Sequence, residues 1–183
     1  MTATDQLTAE ERDEQERMVL DSVDRFLEKD VRPYAHDLEA ADEWPADIVE
    51  KMKELGLFGA TIGEEFGGLG LSATTYTKIV ERVSAVWMSV SGIFNSHLIM
   101  AAAVERSGTE EQKQRYLPRF ATGELRGGIA LTEPDAGTDL QGIRMRADRD
   151  GNGYKLSGSK TWISNAVQGN ILAILAKTNP EAE

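Results

Sequence analysis

Leu131-Thr132-Glu133-Pro134-Asp135-Ala136-Gly137-Thr138-Asp139 and, further on, Gly158-Ser159-Lys160-Thr161-Trp162-Ile163-Ser164-Asn165 are the stretches on which the reading of this chain turns. The first continues a short apolar run, Gly128-Ile129-Ala130, and breaks at Pro134 into an acidic loop, since proline cannot donate to a strand ladder. The second reads as a strand carrying Trp162 among hydroxyl side chains. Taken singly, the first is an ordinary strand exit and Trp162 an ordinary core residue. Taken together they set short hydroxyls, a large aromatic ring and a Gly-Thr pair on two neighbouring β segments.

Working outward, Ile143, Met145 and Ala147 alternate with Arg144, Arg146 and Asp148, the period of a half-buried strand. Asp150-Gly151-Asn152-Gly153 is a hairpin turn signal. Tyr154 and Leu156 alternate into the next strand, which leads to Trp162 and Ile163. Ile171 to Ala176 reads as a fully buried strand. About four strands in all leave exposed edges and an apolar face hard to cover. The chain is therefore expected to be incomplete.

Upstream the period becomes helical. Thr8-Ala9-Glu10-Glu11 has capping-box spacing, and Val19, Val23, Phe26 and Leu27 follow on one face. Arg32-Pro33 is expected to interrupt that helix. Trp44-Pro45 opens a short helix with Ile48, Met52 and Leu55 on one side, stopped at Gly56. Ser72 caps a helix carrying Ile79 and Val83. Val90 to Glu105 is apolar on most sides, as a helix buried on most sides is. Thr109-Glu110-Glu111-Gln112 caps another helix, ended by Thr122-Gly123. The expected fold is α+β, with a helical domain over residues 1–122 and a partial β domain, the start of an antiparallel sheet, over 123–183.

Composition narrows the function. The 183 residues are 40% hydrophobic, with 20 Lys+Arg against 31 Asp+Glu and a net charge of −11. That balance opposes binding to nucleic acid or anionic membranes. There is no cysteine, hence no disulfide framework and no thiolate nucleophile. His36 and His97 stand far apart without partners at ligand spacing, so no metal site is expected. No apolar run approaches the roughly 20 residues of a membrane span. The acidic start Met1-Thr2-Ala3-Thr4-Asp5 does not read as a signal peptide, and a cytoplasmic protein is the expectation. Glu10, Glu11, Asp13, Glu14 and Glu16 read as a solvated helix face.

Two glycine motifs are weighed and set aside. Gly68-Leu69-Gly70-Leu71-Ser72-Ala73 fits a dinucleotide fingerprint in letters only: no strand leads in and no acid follows about 20 residues on. A tight loop is the better reading. Gly158-Ser159-Lys160-Thr161 misses the phosphate-loop pattern by one residue and sits among strands, so a hairpin with a surface lysine is preferred.

The two opening stretches, with Glu64-Glu65-Phe66-Gly67-Gly68-Leu69-Gly70, Gly108-Thr109-Glu110-Glu111-Gln112-Lys113 and Tyr116-Leu117-Pro118, resemble the acyl-CoA dehydrogenase family in order and spacing from about residue 15 onward. The resemblance implies a helical domain and part of a middle β domain, with the family's C-terminal four-helix domain absent. It implies FAD as cofactor and α,β-dehydrogenation of an acyl-CoA thioester, with electron-transfer flavoprotein as acceptor and a homo-oligomeric full-length form. A flavin ring offers an apolar face and polar edges, which suit a shielding aromatic, short hydroxyls and backbone amides. By the same resemblance Ile129, Leu131, Thr132, Gly137, Thr138, Trp162, Ile163 and Ser164 contact the cofactor. Thr138, where serine is usual, also meets the CoA portion, and Ser164 stands where threonine is common. The helix around Phe94 to Ile99 would line the acyl pocket. No catalytic residue is assigned, because the family's glutamate base belongs to the C-terminal part. The alternatives are an acyl-CoA oxidase or flavin monooxygenase on the same fold, or a non-catalytic binding protein keeping the scaffold.

Overall fold

The computed structural model describes residues 8–179. The acidic start Met1–Asp5 and the end from Pro180 lie outside the described residues. Helix α1 (Ala9–Phe26) begins with the expected capping box: the Thr8 hydroxyl accepts from the Glu11 amide at 3.3 Å, and Glu11 accepts from the Thr8 amide at 2.8 Å. Each bond satisfies an amide that has no partner within the helix. Leu20, Val23 and Phe26 are buried on its inner face, and Leu27 just beyond it.

Pro33 does not break this helix, contrary to the sequence expectation. A π-helical turn (Leu27–Val31) intervenes, with the Arg32 amide donating to the Leu27 carbonyl, and α2 (Arg32–Ala40) resumes with Pro33 in its first turn. There the missing amide proton costs nothing, because first-turn amides have no acceptor in their own helix. Helix α3 (Ala46–Glu54) buries Ile48, Val49 and Met52 and stops at Gly56. The glycine-rich stretch then folds back on itself, with Leu69 donating to the Gly59 carbonyl and Gly70 to that of Ile62. A Cβ on Gly68 would lie 2.1 Å from the Ile62 oxygen, so glycine there serves a close backbone approach. This is the tight loop expected, with no phosphate-cradle context.

Helix α4 (Ala73–Ser107) is capped by Ser72 and breaks direction at Trp87, whose φ and ψ of −158° and 105° are not helical. The stretch after the kink buries Val90, Ile93, Phe94, His97, Leu98, Met100 and Ala101. By length and composition α4 is also apolar enough to cross a membrane, contrary to the expectation that no stretch of the chain is. Half of its most apolar stretch is buried against the other helices, the setting of a core helix. Helix α5 (Glu110–Ala121) carries the second capping box, Thr109 with Gln112. Phe58, Phe94, Phe120, Met52, Leu117 and His97 fill the centre where α3, α4 and α5 meet.

Four strands follow among the described residues. The expected antiparallel hairpin is β2 (Arg146–Asp150) with β3 (Gly153–Ser157). The other pair is different: β1 (Gly127–Ala130) and β4 (Ile171–Ile174) run parallel. The two pairs meet where Ala147 donates to the Lys177 carbonyl and Lys177 to that of Met145, at 2.9 and 2.8 Å. The run Ile171–Ala176 is half-buried rather than fully buried. Ile171 and Ala173 face the helical core, while Ile174 and Leu175 remain 39% and 38% exposed. Ile171 and Ala173 share the covered face and Ile174 turns away, as a two-residue period requires, while Leu175 is exposed because it lies beyond the end of the strand. Ile143, Met145 and Ala147 are all buried, as their period-two spacing predicts.

Phe58→Ala should lower stability by about 3–5 kcal/mol, the range for truncating a fully buried aromatic ring. Met88→Ala, at a side chain 73% exposed, should stay within about 0.5 kcal/mol of wild type. Urea denaturation of both variants checks the contrast.

Candidate functional site

Beyond Ala130 the chain leaves β1 through Leu131 and Thr132 and enters a tight turn. The Glu133 amide donates to the Ala136 carbonyl at 2.8 Å, and the Ala136 amide returns to Glu133 at 3.2 Å. Gly137 and Thr138 follow, exposed, and Asp139 accepts from the Gln141 amide to start a short 3-10 turn (Leu140–Gly142).

Gly158 to Asn165 is not the strand that the sequence suggested but part of a longer segment reaching Gly169. It is a loop of turns, in which Trp162 and Asn165 take φ values of +57° and +63°. Positive φ is incompatible with a regular ladder and costs a bulky residue about 1–2 kcal/mol. The loop nevertheless runs antiparallel beside β1 and its extension. Thr161 donates its amide to the Thr132 carbonyl at 3.0 Å, and the Lys160 ammonium donates to the Leu131 carbonyl at 2.7 Å. The Asn165 amide nitrogen donates to Gly127 at 2.7 Å and to Ile93 of α4 at 2.8 Å. A Cβ on Gly128 would stand 2.4 Å from the Ser96 hydroxyl and 2.9 Å from the Ser164 carbonyl, so this glycine lets strand, helix and loop touch.

Thus Leu131 and Thr132 lie alongside the Trp162-Ile163-Ser164 segment, while Gly137 and Thr138 join them only through the turn at 133–136. Ile129 pairs in register with Ala173. Ile129, Leu131, Thr132 and Ile163 are half-buried, and Gly137, Thr138 and Ser164 are exposed. Trp162 is 90% exposed. Among the described residues the hydroxyls of Thr132, Thr138 and Ser164 take part in no side-chain hydrogen bond. The result is an open wall with free alcohol groups, a bare indole held in a strained conformation, and a Gly137 that has nothing within 4 Å of an added Cβ. This donor set fits a planar heteroaromatic group with polar edges and a phosphate tail.

The helix segment from Phe94 to Ile99 divides. Phe94, His97 and Leu98 point into the core, while Asn95 and Ser96 are half-buried and Ile99 is 47% exposed. The Tyr76 hydroxyl donates to Asn95 at 2.6 Å. The larger cavities lie away from the wall. One of about 580 Å³ is lined by Tyr34, Trp44, Asp47 and Lys51. Another, of about 500 Å³, borders the loop end at Val167 and Gln168. No group of three metal-ligating side chains occurs among the described residues.

Behind the wall sits a pair that the sequence reading missed. Glu133 and Lys160 are buried together at 2.9 Å. Glu133 also accepts from the amides of Arg144 at 2.6 Å and Met145 at 3.0 Å. Burial by itself raises a carboxyl pKa, but those two amides and the ammonium outweigh it and hold Glu133 down to about 2. The partners are far apart in the chain, and each lay in a motif read for another purpose, so no local signal joined them. His97 is buried edge-on to Phe58 and Phe120, with its Nε2 bonded to the Phe120 carbonyl at 3.1 Å. Burial pushes this imidazole down to about 4.

Both shifts have the same sign in the stability of the fold. Between pH 6.5 and about 4 the unfolded chain protonates His97 and the folded chain does not. Between 4.5 and about 2 the same holds for Glu133. Stability should therefore fall as pH drops through each window in turn. His97→Gln should flatten the upper window and Glu133→Gln the lower, in urea midpoints measured from pH 7 to 3. Midpoints that stay level in wild type across that range would contradict the assignment.

Comparison with known proteins matches this architecture. The N-terminal domain profile of acyl-CoA dehydrogenases fits residues 13–124, and the middle domain profile fits 128–183. The (2S)-methylsuccinyl-CoA dehydrogenase of Cereibacter sphaeroides is 38% identical over 170 residues, covering 92% of this chain and 31% of that protein. The mitochondrial isovaleryl-CoA dehydrogenase of Solanum tuberosum is 34% identical over 173 residues, covering 93% and 42%. A structure described as the electron transferring flavoprotein of Acidaminococcus fermentans superposes with a TM-score of 0.86 at 33% identity, covering 94% of this chain and 44% of that one. An acyl-CoA dehydrogenase complexed with FAD from Bacillus anthracis gives 0.76 at 30% identity, covering 97% and 30%. The chain spans between 31% and 42% of the length of these two curated relatives. On these matches, with the wall at Thr132 and Trp162 in place, the chain belongs to the acyl-CoA dehydrogenase family.

Proposed function

We propose that this chain supplies the helical and flavin-contacting portion of an FAD-dependent enzyme that introduces an α,β double bond into an acyl-CoA thioester. The observation that carries this reading is the antiparallel approach of residues 127–132 to 161–165. It brings the segments that carry the Thr132 and Ser164 hydroxyls and the exposed indole of Trp162 alongside one another. FAD, when bound, supplies the hydride acceptor for the β-hydrogen. Thr132 and Ser164 would meet the polar edge of the ring, Trp162 would pack on it, and Gly137 with Thr138 would lie along the pyrophosphate. Thr138 would also reach the CoA portion of the substrate. Electron-transfer flavoprotein is the acceptor we assign to the whole enzyme, which acts as a homo-oligomer.

The proton at the α-carbon needs a base, and Glu133 is unsuited to it. Both its oxygens are engaged by Lys160 and two amides, and its low pKa makes it a poor proton acceptor at neutral pH. The base therefore comes from outside the residues described.

The purified chain should perturb the visible spectrum of FAD with weak, saturable affinity and should not reduce a dye with acyl-CoA. Trp162→Ala should weaken FAD binding by about tenfold, the loss of one aromatic stacking contact. An FAD spectrum unchanged at saturating protein, or a Trp162→Ala variant that binds as well as wild type, would count against the wall as the cofactor surface.

A further inference from the structure

Lys160 is buried beside the segment that carries Leu131 and Thr132. Its ammonium has two acceptors, the Leu131 carbonyl at 2.7 Å and Glu133 at 2.9 Å, and its side chain is 8% exposed. The peptide between Leu131 and Thr132 is trans, as are all the described peptide bonds. In a trans peptide the carbonyl and the following N–H point in opposite directions. A lysine that grips the Leu131 carbonyl therefore turns the Thr132 N–H to the side away from itself. That N–H has no protein acceptor among the described residues. The neighbouring peptide is fixed the opposite way round, with the Thr132 carbonyl taken by the Thr161 amide and the Glu133 amide turned in to Ala136.

The charge matters as well as the geometry. A cation bonded to an amide oxygen draws electron density through the peptide and makes its N–H a stronger donor. In a buried setting this is screened far less than at a surface. Glu133 neutralises the ammonium and is itself held by two amides. The pair can therefore stay ionised in the interior, and its members do not move apart without stranding a charge.

We propose that Lys160 is a positioning residue that, braced by Glu133, orients and polarises the Thr132 amide as a hydrogen-bond donor to the electron-rich edge of the bound flavin. This rests on the flavin reading above and assigns to it a residue that does not itself touch the cofactor. Both parts of the pair act through the Leu131–Thr132 peptide. A stronger donor at that edge favours the reduced, more negative ring, so the pair should also raise the reduction potential of the bound flavin.

The test has an arm that needs no cofactor. In the intact chain without FAD, amide hydrogen exchange followed by NMR should show Thr132 exchanging quickly and Thr161, whose amide is bonded, exchanging slowly. Added FAD should protect Thr132. The charge-free double variant Glu133→Gln/Lys160→Met should shift the Thr132 amide proton upfield, weaken FAD binding about tenfold and lower the flavin potential, while Lys160→Arg keeps binding within about twofold. A folded double variant with the wild-type Thr132 shift and wild-type FAD affinity would overturn the proposal. So would slow exchange at Thr132 in the wild-type chain, a measurement that stands even if the variant fails to fold. If wild type binds no FAD, the flavin reading falls, and the amide shift still decides whether Lys160 governs the Thr132 donor.

Discussion

The architecture depends on how closely one short strand can approach one helix. Gly128 lies where an added Cβ would stand 2.4 Å from the Ser96 hydroxyl of α4 and 2.9 Å from the Ser164 carbonyl, and Asn165 spans the same junction with a single amide group shared between Gly127 and Ile93. Those contacts bind helical core, strand and loop into one unit. The Trp162 loop is held further by Lys160 on the Leu131 carbonyl, Thr161 on that of Thr132 and, at its far end, Arg126 on that of Gln168. The wall is thus fastened at backbone carbonyls by Asn165, Lys160 and Thr161, which leaves the Thr132, Trp162 and Ser164 side chains out of the joints.

Charge is handled differently inside and outside the molecule. Several ion pairs here, such as Lys51 with Glu54 and Arg32 with Glu28, join exposed partners one helical turn apart and contribute little to stability. Glu133 with Lys160 is buried, crosses between segments and is fully hydrogen-bonded. The benefit of such a pair is less net energy than geometric definition, because every alternative arrangement leaves a charge without a partner. That property suits the base of a binding surface, where an error of an ångström is costly.

Much of this was legible in the letters. Capping boxes at Thr8 and Thr109, the stop at Gly56 and the alternation of Ile143, Met145 and Ala147 are local effects of hydrogen bonding and periodicity, and each appears in the structure. What escaped depends on partners distant in sequence. Pro33 is accommodated by a π turn that no local rule demands. The parallel pairing of β1 with β4 cannot be told from antiparallel pairing by hydrophobic runs. Gly158 to Asn165 has a strand-like composition, but its left-handed turns at Trp162 and Asn165 are imposed by contacts with β1 and α4. The site residues were named through family likeness. The pair behind them became visible only when Glu133 and Lys160 were seen side by side.

The hairpin at the outer end of the sheet has its own consequence. Strand β3 bonds to β2 alone among the described residues, with Tyr154 51% and Leu156 45% exposed. A row of unmatched amides and carbonyls beside apolar side chains is a template on which another extended segment can add. Lys155 on that strand and Arg149 opposite Tyr154 place cations along this margin, and they discourage indiscriminate pairing. On an otherwise acidic molecule, those two cations make this edge a poor template for a second copy of the same strand.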